Sequence, residues 1–448
     1  MDPGLLSRIQ FGLTASFHYI YPPLSIGLGV ILVLTEALAL KTRNPLFQQM
    51  TRFWTRIFGL IFALGVATGV VLEFQFGTNW STYSRFVGDV FGSALAAEGI
   101  FAFFLESGFL AILLFGWDKV SPRVHMFSTV MVALGAHFSA VWIVVANSWM
   151  QTPAGFHLVQ AALRQRAEIT DFWTMVFNPS AMVRLSHAVL GAWQAAAFFV
   201  LSVSAYYLLR RQHLEFAKAS MRIGLVVAVV ASLGSFATGH QSALLVSRHQ
   251  PAKLAAMEGH YPASAPAPLS LFGWVDEKAG RVVGMSVPGM LSFLVHGDTT
   301  KPVTGLAAFP PADRPPVQPV FQAYHAMVGI GMGLIGLALL GAFLWWRGTL
   351  FETRWLLWVY VFAVLGPQAA NQLGWFTAEV GRQPWIVYGL MRTKDAVSPA
   401  LSVGQALTSL AMFLTIYLAL FVLFIYLLDQ KIRHGPAADD LEMAYHRR

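Results

Sequence analysis

The sequence predicts an all-α fold: a polytopic membrane helical bundle of about nine transmembrane helices, N-terminus outside and C-terminus cytoplasmic. Three observations predict it. Of 448 residues, 56% are hydrophobic and only 12% charged, with a mean hydropathy of +0.58, whereas soluble domains carry roughly 25% charge. Apolar runs recur at lengths above the ~18 residues that mark a membrane helix. Lys and Arg concentrate in the short connections between alternate runs, which marks the cytoplasmic side.

The expected spans run near 10–38, 53–74, 92–116, 124–147, 181–209, 222–245, 320–346, 355–376 and 403–428. The basic connections hold Lys41, Arg43, Arg52 and Arg56, then Lys119 and Arg123, then Arg210, Arg211, Lys218 and Arg222, then Arg347 and Arg354. The expected divisions are 1–245 for the first six spans, 246–319 for an external loop, 320–428 for the last three spans and 429–448 for a cytoplasmic tail. At more than 70 residues, that loop far exceeds the ~12–15 of an ordinary connection and is either functional or disordered. The net charge of +8 follows from basic cytoplasmic loops, so the expected surroundings are a lipid bilayer, with no nucleic acid. The opening MDPGLLSRIQ lacks the basic region and cleavage site of a signal peptide, so the first span is expected to be retained. Cysteine is absent, which excludes disulfides, thiolate metal sites and cysteine nucleophiles.

Ionisable side chains are costly inside a bilayer and mark function by default. His18, Glu36, Glu73, Glu98, Glu106, His137, His187, His240 and His325 fall within the spans, with Met327 as a soft donor. Span five enters from outside, so His187 lies about two turns in at ~1.5 Å per residue. Met327, on span seven, reaches nearly the same depth. A His and a Met at matched depth on different helices suit a six-coordinate cytochrome haem. His18 and Glu98 also lie in the outer half of their spans, and Glu379 just past the outer end of span eight. Five ligand-type side chains thus share one layer. A lone membrane His is more often a hydrogen-bonded packing residue and a lone Met a core filler; His137 and His240 are read that way. Glu106 follows Glu98 by ~800° of helical rotation and ~12 Å of rise, on roughly the same half of the helix.

Seven strings then occur in chain order: RIQFGLTASFH (8–18), GVATGVVLEFQFGTNW (65–80), AAEGIFAFFLES (96–107), ANSWMQTP (146–153), LSHAV (185–189), AKLAAMEGHY (252–261) and GWFTAEVGRQPW (374–385). With them the chain resembles, over nearly its whole length, the large haem-bearing subunit I of cytochrome bd-type quinol oxidases. Its loop resembles that of the short quinol-loop group, some of which resist cyanide.

The resemblance implies a quinol:oxygen oxidoreductase of the bacterial cytoplasmic (inner) membrane. Quinol would be oxidised outside and dioxygen reduced to water with protons from the cytoplasm, generating membrane potential without a dedicated pump. His187 and Met327 match the axial ligands of a low-spin haem b. His18, Glu98 and Glu379 match the ligand set of a high-spin haem b and a haem d, or a third haem b in its place. Trp375 matches an aromatic between haems, and Arg8 and Arg382 match basic residues that offset propionate charge. Lys253 and Glu258 match residues of quinol oxidation, which makes 246–319 a quinol-binding loop. Glu106 and Ser107 match a proton route. The implied partners are quinol, dioxygen, a second large membrane subunit (subunit II) and a small single-helix subunit.

One departure stands out. The Arg that relatives carry two residues before the axial Met is His325 here. Two residues are ~200° apart on a helix, so only one of His325 and Met327 can face a given iron, and Met327 is the expected ligand. The alternative functions are a dihaem electron-transfer subunit without oxygen chemistry, and a transporter using its buried charges for substrate.

Overall fold

The computed structural model describes residues 2–161 and 164–437. Helix α1 (Pro3–His18) starts where Asp2 caps it, its carboxylate accepting from the Leu5 amide, with proline in the first turn. It ends at Tyr19, because Pro22 and Pro23 open α2 (Tyr21–Thr42) and supply no amide hydrogens to continue α1. The first expected span is therefore two helices meeting at a bend, with His18 as the last residue of α1. Helix α3 (Pro45–Thr78) is capped by Asn44. Helix α4 (Gly88–Glu98) passes through a π-turn, Gly99–Phe103, into α5 (Phe104–Phe115). Helices α6 (Pro122–Gln151), α7 (Ala181–Arg210) and α8 (Leu214–His249) are continuous. The short α9 (Pro251–Glu258) follows, then α10 (Val317–Trp346). Helices α11 (Arg354–Ala363) and α12 (Leu365–Val380) break at Val364, and α13 (Val403–His434) begins at a Ser402/Gln405 capping box.

Among the described residues, seven stretches are long and apolar enough to cross a membrane: 3–42, α3, α6, α7, α8, α10 and α13. The other two expected spans, 92–116 and 355–376, are helices interrupted by the π-turn and by the Val364 break. π-turns recur at functional sites, and this one directly follows Glu98. Helix α7 forms the centre, with Ala195 to Leu201 buried without interruption. It packs against α2, α8, α11 and α12; α10 packs against α8 and α12, and α1 against α3 and α13.

The 246–319 segment is folded. Helix α9 ends at Gly259, whose φ of +60° suits a residue without Cβ. A hairpin of β1 (Leu269–Asp276) and β2 (Arg281–Val287) follows, then a helix Met290–His296. The hairpin lays Val275 and Val282 over Gly259 and against Phe321 at the start of α10. The disordered alternative for this loop is thereby set aside.

Candidate functional site

Two histidines share one local design. His18 Nδ1 lies 2.9 Å from Thr68 Oγ1 on α3, and His187 Nδ1 lies 3.0 Å from Thr238 Oγ1 on α8. Each threonine donates its own hydrogen to its helix backbone, Thr68 to Leu64 O at 2.7 Å and Thr238 to Gly234 O at 2.9 Å. Each hydroxyl therefore accepts from the imidazole, which places the ring hydrogen on Nδ1 and the lone pair on Nε2. That tautomer suits metal binding through Nε2, with the Nδ1 bond fixing ring orientation. The next residue in both cases is glycine, and a Cβ there would come within 3.2 Å (Gly69) or 3.4 Å (Gly239) of the imidazole Cε1.

Met327 projects from α10 towards α12, where a Cβ at Gly374 would lie 3.0 Å from its sulfur. Helices α8 and α12 each pack against both α7 and α10, so His187 and Met327 belong to one four-helix group. His325 points elsewhere. Its ring nitrogens each lie 2.8 Å from a backbone carbonyl oxygen, of Phe321 and of Ser270. Neither nitrogen faces space that an iron would occupy. His137 is likewise committed, between the Ala133 carbonyl and the Trp193 indole N–H.

Glu379, near the end of α12, sits in a cage of donors. Asn147 and Gln151 donate to its Oε1 at 3.1 and 3.2 Å, and Arg382 to its Oε2 at 2.5 Å. Arg184, one turn before His187, donates to Asn147 at 2.6 Å and lies over the Trp375 ring at 5.6 Å. Trp375 also meets Tyr19, the neighbour of His18, at 5.4 Å. From the loop, Lys253 Nζ donates to Gln151 at 2.9 Å and to Gln250 at 3.0 Å. Its stem runs past Gly381, where a Cβ would lie 3.1 Å away. Three cations therefore surround one carboxylate, and Arg382 Nη1 is buried without a partner among the described residues. Arg8 is exposed on α1 and takes no part in this cluster.

Lys253 and Glu258, expected on the outer loop, are both buried, at 5% and 3% exposure. The hairpin closes over the Glu258 end of α9, whereas Lys253 is covered by Gln151, Gln250 and Gly381. Five residues apart, they point ~140° away from each other, Lys253 to the Glu379 cluster and Glu258 to Tyr324 of α10. Burial pushes the Glu258 carboxyl up to about 8, opposed by the Tyr324 hydrogen bond, and leaves its Oε2 unpaired. Burial, with Arg184 and Arg382 nearby, holds the Lys253 ammonium well below its ordinary value against the pull of Glu379.

On the far side, Ser139 of α6 donates to Glu98 Oε1 at 2.5 Å. Glu106 is buried against Gly135, also of α6, while Ser107 beside it is exposed. The π-turn between the two glutamates changes their angular relation, yet both still address α6.

The comparisons with known proteins bear on this arrangement as a whole. A family model described as cytochrome bd terminal oxidase subunit I matches residues 6–436. The chain belongs to that family. It is 38% identical to cytochrome bd ubiquinol oxidase subunit 1 of Bacillus subtilis, across 98% of this chain and 96% of that one. It is 35% identical to cytochrome bd-II ubiquinol oxidase subunit 1 of Escherichia coli, across 97% of each. The solved structure of bd oxidase from Geobacillus thermodenitrificans superposes with a TM-score of 0.89, at 30% identity, covering 97% of this chain and 99% of that one. As a subunit I chain it is a multi-pass membrane haem protein. The residues present fit haem: two imidazoles offer Nε2, a thioether faces a glycine-opened space, and a surplus of buried cations with an orphaned guanidinium nitrogen suits propionates.

Asn147, Gln151, Arg184, Gln250, Thr68, Thr238 and Tyr324 were given no role in the sequence reading. One signal for the threonines was present: Ala-Thr-Gly recurs at 67–69 and 237–239.

Proposed function

We propose that this subunit oxidises quinol at the 246–319 loop on the outer side. Dioxygen is reduced to water in the layer beneath, with protons from the cytoplasm, which builds membrane potential without a dedicated pump. One observation carries the reading: Lys253 reaches from the loop through Gln151 to Glu379, so the loop and the ligand layer form one connected site.

His187 and Met327 hold a low-spin haem b. His18, Glu98 and Glu379 hold a high-spin haem b and a haem d, or a third haem b in its place. Bound there, haem supplies one-electron transfer and an open coordination position for dioxygen. The chain's own residues do the rest. Quinol must lose two electrons and two protons, and Glu258, buried and with a free oxygen, accepts a proton from the quinol hydroxyl. Its raised value brings it closer to the weakly acidic donor, as efficient proton transfer requires. Arg184, Arg382 and Lys253 hold negative charge near Glu379. Trp375 lies between the His18 and Arg184 surroundings and separates the ligand groups with an aromatic ring. Each dioxygen consumes four electrons and four protons, and Glu106 with Ser107 passes protons towards Glu98. The partners are a second large membrane subunit (subunit II) and a small single-helix subunit.

Quinol-dependent oxygen consumption of the purified complex tests the reading. Lys253→Ala should cut turnover about tenfold or more, as expected for losing a charge-assisted hydrogen bond, with haem content unchanged. Wild-type turnover in that variant would remove the loop from the site.

A further inference from the structure

One group of buried polar side chains lies outside the layer described above. Glu36 of α2 and His125 and Thr129 of α6 are 4%, 3% and 1% exposed. His125 Nδ1 lies 2.7 Å from Glu36 Oε1, and Thr129 Oγ1 donates to Glu36 Oε2 at 2.5 Å. His125 Nε2 faces the Leu113 carbonyl oxygen of α5 at 3.3 Å. The Trp117 ring lies 3.8 Å from the imidazole, and the Arg52 guanidinium sits 4.8 Å over that ring, 3.6 Å from the Asp118 carboxylate. This is the basic end of the bundle, where α2 runs out to Lys41 and α6 starts beside Arg123.

A buried carboxyl–imidazole pair is a poor brace, because desolvation cancels much of its attraction and an apolar pair of equal volume would hold the helices as well. Its position gives it another use. His125, Thr129, Val132, Gly135 and Ser139 follow one another by three or four residues, which makes a single stripe along α6 about 21 Å long. Glu106 packs on that stripe so closely that a Cβ at Gly135 would lie 2.5 Å from its Cγ. Ser139, one turn further on, holds Glu98. The stripe thus runs from the pair, past Glu106, to Glu98.

We propose that Glu36 and His125 form a proton-collecting pair that reloads Glu106 from the cytoplasmic side. The inference rests on the reading above that protons for oxygen reduction enter from that side. In the step, the pair gives one proton to ionised Glu106 and takes one back from the cytoplasmic water. Val132 offers neither donor nor acceptor, so the turn between Thr129 and Glu106 is crossed through water.

The test follows proton uptake and charge movement after oxygen is mixed with the fully reduced complex in liposomes. Wild-type complex must first show uptake from the cytoplasmic side; its absence there would sink the inward-uptake reading itself. Glu36→Gln keeps the size and one acceptor oxygen, turns the other oxygen into an amide donor and cannot take up or release a proton, and His125→Gln removes the imidazole. In each, uptake should slow about a hundredfold, the lower end of what a positioned proton donor contributes, while oxygen binding and haem content stay unchanged. Slow uptake in one variant suffices if the other fails to assemble. Either variant with full haem and wild-type uptake would overturn the proposal, and loss of haem in both would make the pair a structural brace.

Discussion

Replacing Tyr324 by Phe isolates the chemistry assigned to Glu258. The tyrosine hydroxyl bonds the Glu258 carboxyl and holds it down, whereas burial raises it to about 8. A carboxyl accepts a proton only when ionised, so quinol oxidation should rise as pH climbs through that value and level off above it. With a value near 8, about a tenth of the sites are ionised at pH 7. Tyr324→Phe leaves the carboxyl in place but removes a hydrogen bond to its charged form, worth about 1.5 kcal/mol at the lower end of such bonds. That is about tenfold in the ionisation equilibrium. The rate at pH 7 should therefore fall about tenfold, the inflection should move to higher pH, and the plateau should be preserved. Steady-state oxygen consumption with quinol between pH 6 and 9.5, normalised to haem, measures all three. A flat wild-type profile, or a variant that lowers the plateau without moving the inflection, would refute the assignment.

Two further predictions concern the ligand layer. Met327→Leu should abolish the low-spin spectrum, as His187→Ala should, while His325→Ala should leave it intact, because both His325 nitrogens already face backbone carbonyls; the reverse pattern in reduced-minus-oxidised spectra would reassign the ligand. Thr238→Val removes the acceptor of His187 Nδ1–H and so lowers the basicity of the ligand. The low-spin midpoint potential should rise in a redox titration and haem occupancy should fall, and an unchanged potential would show that the hydroxyl does not tune the site.

Much of the fold was legible because hydrophobic length is a one-dimensional property. The seven long apolar stretches could be read from runs of apolar residues, and the bend after His18 that divides the first of them has a visible cause in Pro22 and Pro23. The π-turn after Glu98 has no such marker: Gly99–Phe103 reads as ordinary apolar helix. Candidate ligands were readable through depth, since the expected topology converts sequence position into height in the bilayer. Their supporting bonds were not, because Gln151 meets Glu379 across 228 positions and Gln151 meets Lys253 across 102. The repeated Ala-Thr-Gly was readable but acquires meaning only when each threonine is seen against a histidine. Glu258 was readable as an outer-loop candidate but its burial was not, because the hairpin that covers this end of the short helix packs against Phe321, far along the chain.

The central claim, that this subunit carries out oxygen chemistry and does not merely pass electrons, is tested most directly by carbon monoxide binding to the purified, reduced complex. The account predicts a low-spin haem fraction that carbon monoxide leaves unchanged, held by His187 and Met327, and a high-spin fraction whose spectrum shifts on binding. A complex holding only low-spin haem that ignores carbon monoxide would contradict it and favour the dihaem electron-transfer reading.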